Sequence, residues 1–148
     1  MVGLEQKPVY LSSVSPSGRQ VAFVYQSFPT GLYVADVGGM PRKVADHVGQ
    51  FSWSPDSQWL VYQRVEAADN PSGRRLTDVR VVRADGTGER EVIPPDEFST
   101  SPIWTPSGSE ILFFRYREAA CCGGKAEGDT YVVPLSGGRR AYSRNTCG

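Results

Sequence analysis

Three apolar bursts recur along the chain: VAFVY from Val21, WLVY from Trp59 and ILFF from Ile111. None alternates apolar with polar positions as a half-exposed strand does, so each reads as a strand covered on both faces. The same preamble precedes every burst. Ser15 and Pro16, Ser54 and Pro55, and Thr105 and Pro106 each lead into two turn residues, and the segments from Ser13, Ser52 and Ile103 align without a gap. Proline presets φ for the first corner of a hairpin turn, and Ser17, Asp56 or Ser107 takes the second. Gly18 or Gly108 then tolerates the left-handed position that follows. The middle copy carries Ser57 in place of that glycine, which predicts a slightly strained or differently shaped turn.

A second strand-like element follows each burst, LYVADVGG from Leu32, VRVVRADG from Val79 and TYVVPLSG from Thr130, each closing on a polar turn with glycine. A short segment comes next, PRKVA from Pro41, EREVI from Glu89 and RRAYS from Arg139. One unit is therefore strand, SPxG turn, strand, loop, strand, glycine turn, strand: a four-stranded antiparallel meander. All the slack between units falls in the linkers after Tyr25, Arg64 and Arg115, and the chain beyond Gly137 suffices for one more strand. The expected organisation is an extension over 1–7 and then three units over about 8–48, 49–98 and 99–148.

Composition narrows the function classes. With 16 Lys and Arg against 16 Asp and Glu, the 148 residues make no global basic field, so nucleic acid is not an expected partner. No run of about 18 apolar residues occurs, so no membrane-inserted helix is expected. The first eight residues show neither a basic stretch nor an apolar core of a secretory signal. Sixteen glycines and eleven prolines suit a chain of many tight turns. Three cysteines, Cys121, Cys122 and Cys147, are too few and too oddly spaced for a disulfide framework and leave the compartment open.

The succession of an aromatic or aliphatic residue, Ser-Pro-Asp/Ser-Gly, an apolar strand, a YVxD-like strand and a Gly-Gly turn resembles the WD-like repeat of TolB-type β-propellers, from about Pro8 to Tyr142. The resemblance implies an all-β fold in which each unit is a four-stranded antiparallel blade. Tyr10 to Ser13, Gln50 to Trp53 and Ser101 to Trp104 would then be the innermost strands. It also implies a ring of six blades, of which this chain supplies three, and a setting in the bacterial cell envelope. An arc of three leaves one face of the first unit and one of the third uncovered. Neither face looks polar, with Val21, Phe23 and Tyr25 on the first and Ile111, Phe113 and Arg115 on the third. The expectation is a twofold homodimer that closes the ring.

Catalytic signatures are sparse. The single histidine, His47, falls at the start of a connecting loop and reads as a solvated residue. No GxSxG motif exists. SPDSQW from Ser54 is similar to a sialidase Asp-box but lacks the glycine, and Trp59 comes two residues early; it is assigned to the turn. The aspartates Asp36, Asp56, Asp69, Asp78, Asp85, Asp96 and Asp129 mostly neighbour turn residues and read as turn caps. Trp53 and Trp104, where unit one has Val14, read as wedges between units rather than channel aromatics. Cys121 and Cys122 suit neither a zinc set nor a framework, and no metal or other cofactor is implied.

The candidate binding residues lie on the two long linkers, which leave the same face of the ring: Arg74, Arg75, Tyr116, Arg117, Glu118 and Lys125. Tyr10, Gln50 and Ser101 are expected to line the channel. The expected function is a non-enzymatic module that binds a protein or peptide through one face of the ring. The alternatives are an enzyme-associated propeller, gating a peptidase or carrying a channel-site hydrolase or lyase, and a carbohydrate-binding ring.

Overall fold

The computed structural model describes residues 8–25, 30–66, 76–96, 99–116, 128–136 and 140–143. These form twelve strands and no helix, in three four-stranded sheets. The first holds β1 (Val9–Val14), β2 (Gln20–Tyr25), β3 (Gly31–Asp36) and β4 (Arg42–Asp46). The second holds β5 (Val48–Trp53), β6 (Trp59–Val65), β7 (Thr77–Arg83) and β8 (Arg90–Asp96). The third holds β9 (Ser99–Trp104), β10 (Glu110–Tyr116), β11 (Gly128–Pro134) and β12 (Arg140–Ser143). Every sheet is an antiparallel meander in chain order, as the repeat requires. The first strands of successive sheets approach one another, β1 to β5 and β5 to β9, so the sheets fan out like spokes.

The SPxG turns set the register of each hairpin. In all three, the amide after the second corner donates to the carbonyl of the hydroxyl residue: Gly18 to Ser15, Ser57 to Ser54 and Gly108 to Thr105. The third position is left-handed throughout, with φ of 70° at Gly18, 61° at Ser57 and 71° at Gly108. Ser57 thus takes the same shape as its glycine counterparts, not a different one. Its compensation is tertiary, because the buried Ser57 hydroxyl accepts the Ser17 amide of the neighbouring sheet's turn at 2.9 Å. In the same turn the Asp56 carboxylate takes hydrogen bonds from the Ser54 hydroxyl at 2.5 Å and the Gln58 amide at 3.0 Å. These bonds, the hydroxyl's first, hold Asp56 below the usual aspartate range.

Packing separates the two faces of each sheet. Leu60 and Tyr62 join Ala22, Val24, Leu32 and Val34 in one core against the first sheet. Val61, Val79 and Val81 join Ile111, Phe113 and Val133 in another against the third. The middle burst is covered on both sides, with Leu60, Val61 and Tyr62 all fully buried. The outer bursts instead alternate. In β2, Ala22 and Val24 are buried while Val21, Phe23 and Tyr25 are half-buried. In the third sheet the assignment from the sequence reverses: Ile111 and Phe113 are buried against the second sheet, and Leu112 and Phe114 lie on the open side. The reason is geometric. An arc exposes opposite faces at its two ends, so equivalent positions cannot both be open.

Trp53 and Trp104 are wedges between sheets, as their sequence context implies. Trp53 sits in the first core, where its indole N–H donates to the Ser13 carbonyl at 3.2 Å, and Trp104 sits in the second. Replacing Trp53 by alanine opens a cavity between the first two sheets. We expect a loss of about 3–5 kcal/mol in urea denaturation. For Asp56→Asn, the depressed carboxyl of the folded chain fixes the sign: its stabilisation is present above the unfolded value of about 3.9 and lost as pH falls through the lower folded value. The variant is therefore expected to be less stable near neutrality by about 0.5–1.5 kcal/mol, a gap that closes in denaturation curves below that range.

Candidate functional site

The face of the second sheet that meets the first begins apolar and ends charged. Along β6 it presents Leu60, Tyr62 and Arg64, and along β7 the paired positions are Val82, Arg80 and Asp78. Asp78 is fully buried, and its two oxygens each accept from a guanidinium: Arg64 Nε at 2.9 Å and Arg80 Nε at 2.7 Å. Arg64 continues to Glu66 at 2.5 Å, and Arg80 lies 3.8 Å from Glu89 and 4.0 Å from Glu91. The Tyr62 hydroxyl donates to Glu89. Burial, and then this bond, push the Tyr62 phenol well above its ordinary value. The hydrogen bond to Asp78 raises Arg64; at Arg80 burial acts downward most strongly, and the Asp78 hydrogen bond and charge together with the charge of Glu89 overcome it, so that Arg80 is raised too.

Only Asp78 gives up all its water; the arginine side chains keep 25% and 22% of their exposure. Desolvation therefore falls chiefly on one carboxylate, which two charge-assisted bonds offset. The result is a pair of cationic groups fixed from behind on strands rather than carried on loops. They open onto a cavity of about 280 Å³ whose other walls are Lys43, Val44, Ala45, Asp46, His47 and Glu89. Lys43 pairs with Asp46 at 3.0 Å, and that partner raises the lysine. His47 makes the crossing from β4 to β5 alone, with φ of 58°, and its carbonyl accepts the Val65 amide at 2.8 Å. The site thus lies in the wedge between the first two sheets, at the end where β6 passes to β7 and one sheet passes to the next. Among the described residues, no three His, Cys, Asp or Glu side chains gather as a metal centre requires.

No family model matches the sequence. Among solved structures, the chain is similar to TolB from Acinetobacter baumannii, with 15% identity and a TM-score of 0.71 over 94% of this chain and 33% of that one. It is similar to an acylaminoacyl peptidase in complex with Z-Gly-Gly-Phe-chloromethyl ketone, with 18% identity and a TM-score of 0.70 over 92% and 25%. The β-propeller domain of the Trilobed protease from Pyrococcus furiosus aligns at 19% identity and a TM-score of 0.65 over 90% and 42%. The chain has a TolB-like β-propeller fold. At these identities the likeness concerns the fold, and this chain spans well under half of each of the three.

As blades, the sheets place the sequence-derived candidates as follows. Tyr10, Gln50 and Ser101 are exposed and lie on the first strands, each where the ladder with the second strand slips out of register. Such bulges re-aim a side chain out of the pleat, and Ser101 has the left-handed φ of 54° that one form of bulge requires. Tyr116 ends β10, its backbone opposite Gly128. Arg74, Arg75, Arg117, Glu118 and Lys125 lie outside the described residues, as do Cys121, Cys122, Cys147 and the extension over 1–7. Asp56 and Asp85 cap turns as expected, Asp85 through the Thr87 hydroxyl and amide. Asp78 and Asp129 do not: both are buried at the starts of third strands. His47, read as solvated, stands on the cavity wall.

Sequence reasoning passed over Arg64, Arg80 and Glu89 and read Asp78 as a turn cap, although a signal was present. Register sets Arg64 opposite Asp78 in the second blade and Arg115 opposite Asp129 in the third. The repeat therefore carries an Arg and Asp at matched positions twice, a pattern visible once the units are aligned. Alanine at Asp78 would leave two guanidinium groups crowded without their carboxylate, and we expect a loss of about 3–5 kcal/mol in thermal or urea denaturation. The triple change Arg64→Met, Asp78→Leu and Arg80→Met is expected to restore stability close to that of the parent, because it removes the charges together with the cost of burying them.

Proposed function

We propose that this chain is a non-enzymatic propeller module that captures a protein or peptide partner at the end of the blades where second strands pass to third strands and one blade passes to the next. The observation that supports the reading is the arginine pair, fixed by buried Asp78 at the mouth of the cavity between the first and second blades. Apolar side chains of similar volume would stabilise this wedge at least as well, so the buried ionic group is a poor device for stability alone. It is a good one for holding charges in preset positions, which lowers the ordering cost of binding. With Lys43 and Asp46 on one wall and Glu89 on the other, the cavity suits a peptide segment that carries both signs of charge. The long connections that bear Arg74, Arg75, Arg117, Glu118 and Lys125 leave the blades at this same end and would widen the recognition surface.

A second reading places the chain as the propeller part of a longer peptidase. It is favoured by the short share of the acylaminoacyl peptidase, 25%, that this chain spans. The two readings differ in whether the captured peptide is also handed on.

The test is a displayed library of random peptides selected against the chain, with affinities read by fluorescence polarisation. We expect mixed-charge peptides to be enriched. The Arg64→Met, Asp78→Leu, Arg80→Met triple variant should keep its fold and bind them at least about tenfold more weakly, or roughly 1.4 kcal/mol. A triple variant that binds as well as the parent, or hydrolysis of selected peptides by the chain alone, would overturn the proposal.

A further inference from the structure

Each blade has a leading face, turned toward the blade before it, and a trailing face, turned toward the blade after it. The two internal seams are built alike. In the first, Trp53, Leu60 and Tyr62 of the second blade's leading face pack on Ala22, Val24, Leu32 and Val34 of the first blade's trailing face. In the second, Trp104, Ile111 and Phe113 pack on Val61, Val79, Val81 and Ile93. Wide aromatic rings on leading faces press on small and branched side chains of trailing faces. The seam therefore joins unlike surfaces, and the outer faces of the first and third blades correspond to its two halves.

Among the described residues no blade packs on the leading face of the first blade. Its positions equivalent to Leu60 and Tyr62 are Val21 and Phe23. Tyr25, Gly31 and Tyr33 stand where the second blade has Arg64, Asp78 and Arg80. Phe23, Tyr25 and Tyr33 form a cluster with ring centroids 5.0–5.9 Å apart. Val14, at the position of the two tryptophan wedges, is 59% exposed. Among the described residues no blade packs on the trailing face of the third blade, where Leu112 lies between Ile103 and Val132 on neighbouring strands and Phe114 lies over Gly128. Ile103 on this face is 46% exposed. On the leading half, Tyr25, Gly31 and Tyr33 replace the charged positions of the first internal seam, so covering them desolvates little charge; Lys43, at the rim beside Tyr33, already has Asp46.

We infer that the leading face of the first blade docks on the trailing face of the third blade of a second copy of this chain, so that two copies close head to tail through two identical seams. A heterologous contact gives a ring when its rotation closes and an open filament when it does not. The three blades present one half-seam of each kind, so two copies of them match each other at both seams. The inference is separate from the peptide-binding reading, since Val14, Phe23, Tyr25, Ile103 and Leu112, on which the new seams turn, do not line the cavity between the first two blades.

The experiment is sedimentation equilibrium or light scattering on the 148-residue chain, with the parent expected at twice 16.2 kDa. Val14→Asp and Ile103→Asp change exposed side chains on the two halves and leave the internal seams intact. Each variant alone is expected to run as a monomer, with a dissociation constant raised at least about 100-fold and an unchanged circular dichroism spectrum. Mixing the two variants is expected to restore dimer in part, because one seam of the mixed pair joins two unaltered faces. A folded parent monomer at the highest soluble concentration, a parent that grows into open oligomers, or variants that stay dimeric would each overturn the inference.

Discussion

A sheet of four short strands has two apolar faces and no interior of its own. Nothing in this chain is stable until one blade lies against another, and the rest of the structure follows from that constraint. It explains why the middle burst is apolar without alternation, why Leu60, Val61 and Tyr62 are fully buried together, and why the same pattern in β2 and β10 is buried on one side only. It also gives the turns a second task. The Ser57 hydroxyl and the Trp53 indole each make a bond that crosses from the second blade to the first, so the pieces that fix hairpin register also fix how neighbouring blades sit.

The wedge between the first and second blades does not stay apolar to its end, and there the electrostatics become specific. Asp78 is buried where an aliphatic residue would serve packing, and it is tolerated because Arg64 and Arg80 both reach it while keeping some water. The chain of contacts from Arg64 through Asp78 to Arg80 and Glu89, and on to the Tyr62 hydroxyl, ties the outer part of the blade to its core. Local rules of patterning are usually broken where a protein does something, and this wedge is where the present chain breaks them with the longest run of charged contacts among the described residues.

The difference between blades carries as much information as their likeness. The second and third share the tryptophan wedge and the opposed Arg and Asp; the first has Val14, Tyr25 and Gly31 at those positions. Copies that meet equivalent neighbours are held to like residues, as Trp53 and Trp104 are, so a coordinated change along one whole face speaks of a different neighbour. The bulged first strands show the opposite behaviour: Tyr10, Gln50 and Ser101 differ in chemistry yet occupy matching irregularities, because the backbone there answers to the ladder and not to the side chain.

The repeat alone determined the strands, their order, the SPxG hairpins and the role of Trp53 and Trp104, because those depend on spacing, on proline and glycine chemistry and on local apolar runs. Turn-capping by Asp56 and Asp85 was legible for the same reason: the partners lie within a few residues. What only the tertiary structure decided were the pairings between residues distant in sequence. Asp78 reads as one more loop-edge aspartate until β6 and β7 place it between two arginines. His47 reads as solvated until β4 and β5 bring it beside Lys43 and Arg64. Which face of the third blade is open was not written in any single burst either. Burial there depends on which side the neighbouring blade stands, and a pattern of period two looks the same from both sides.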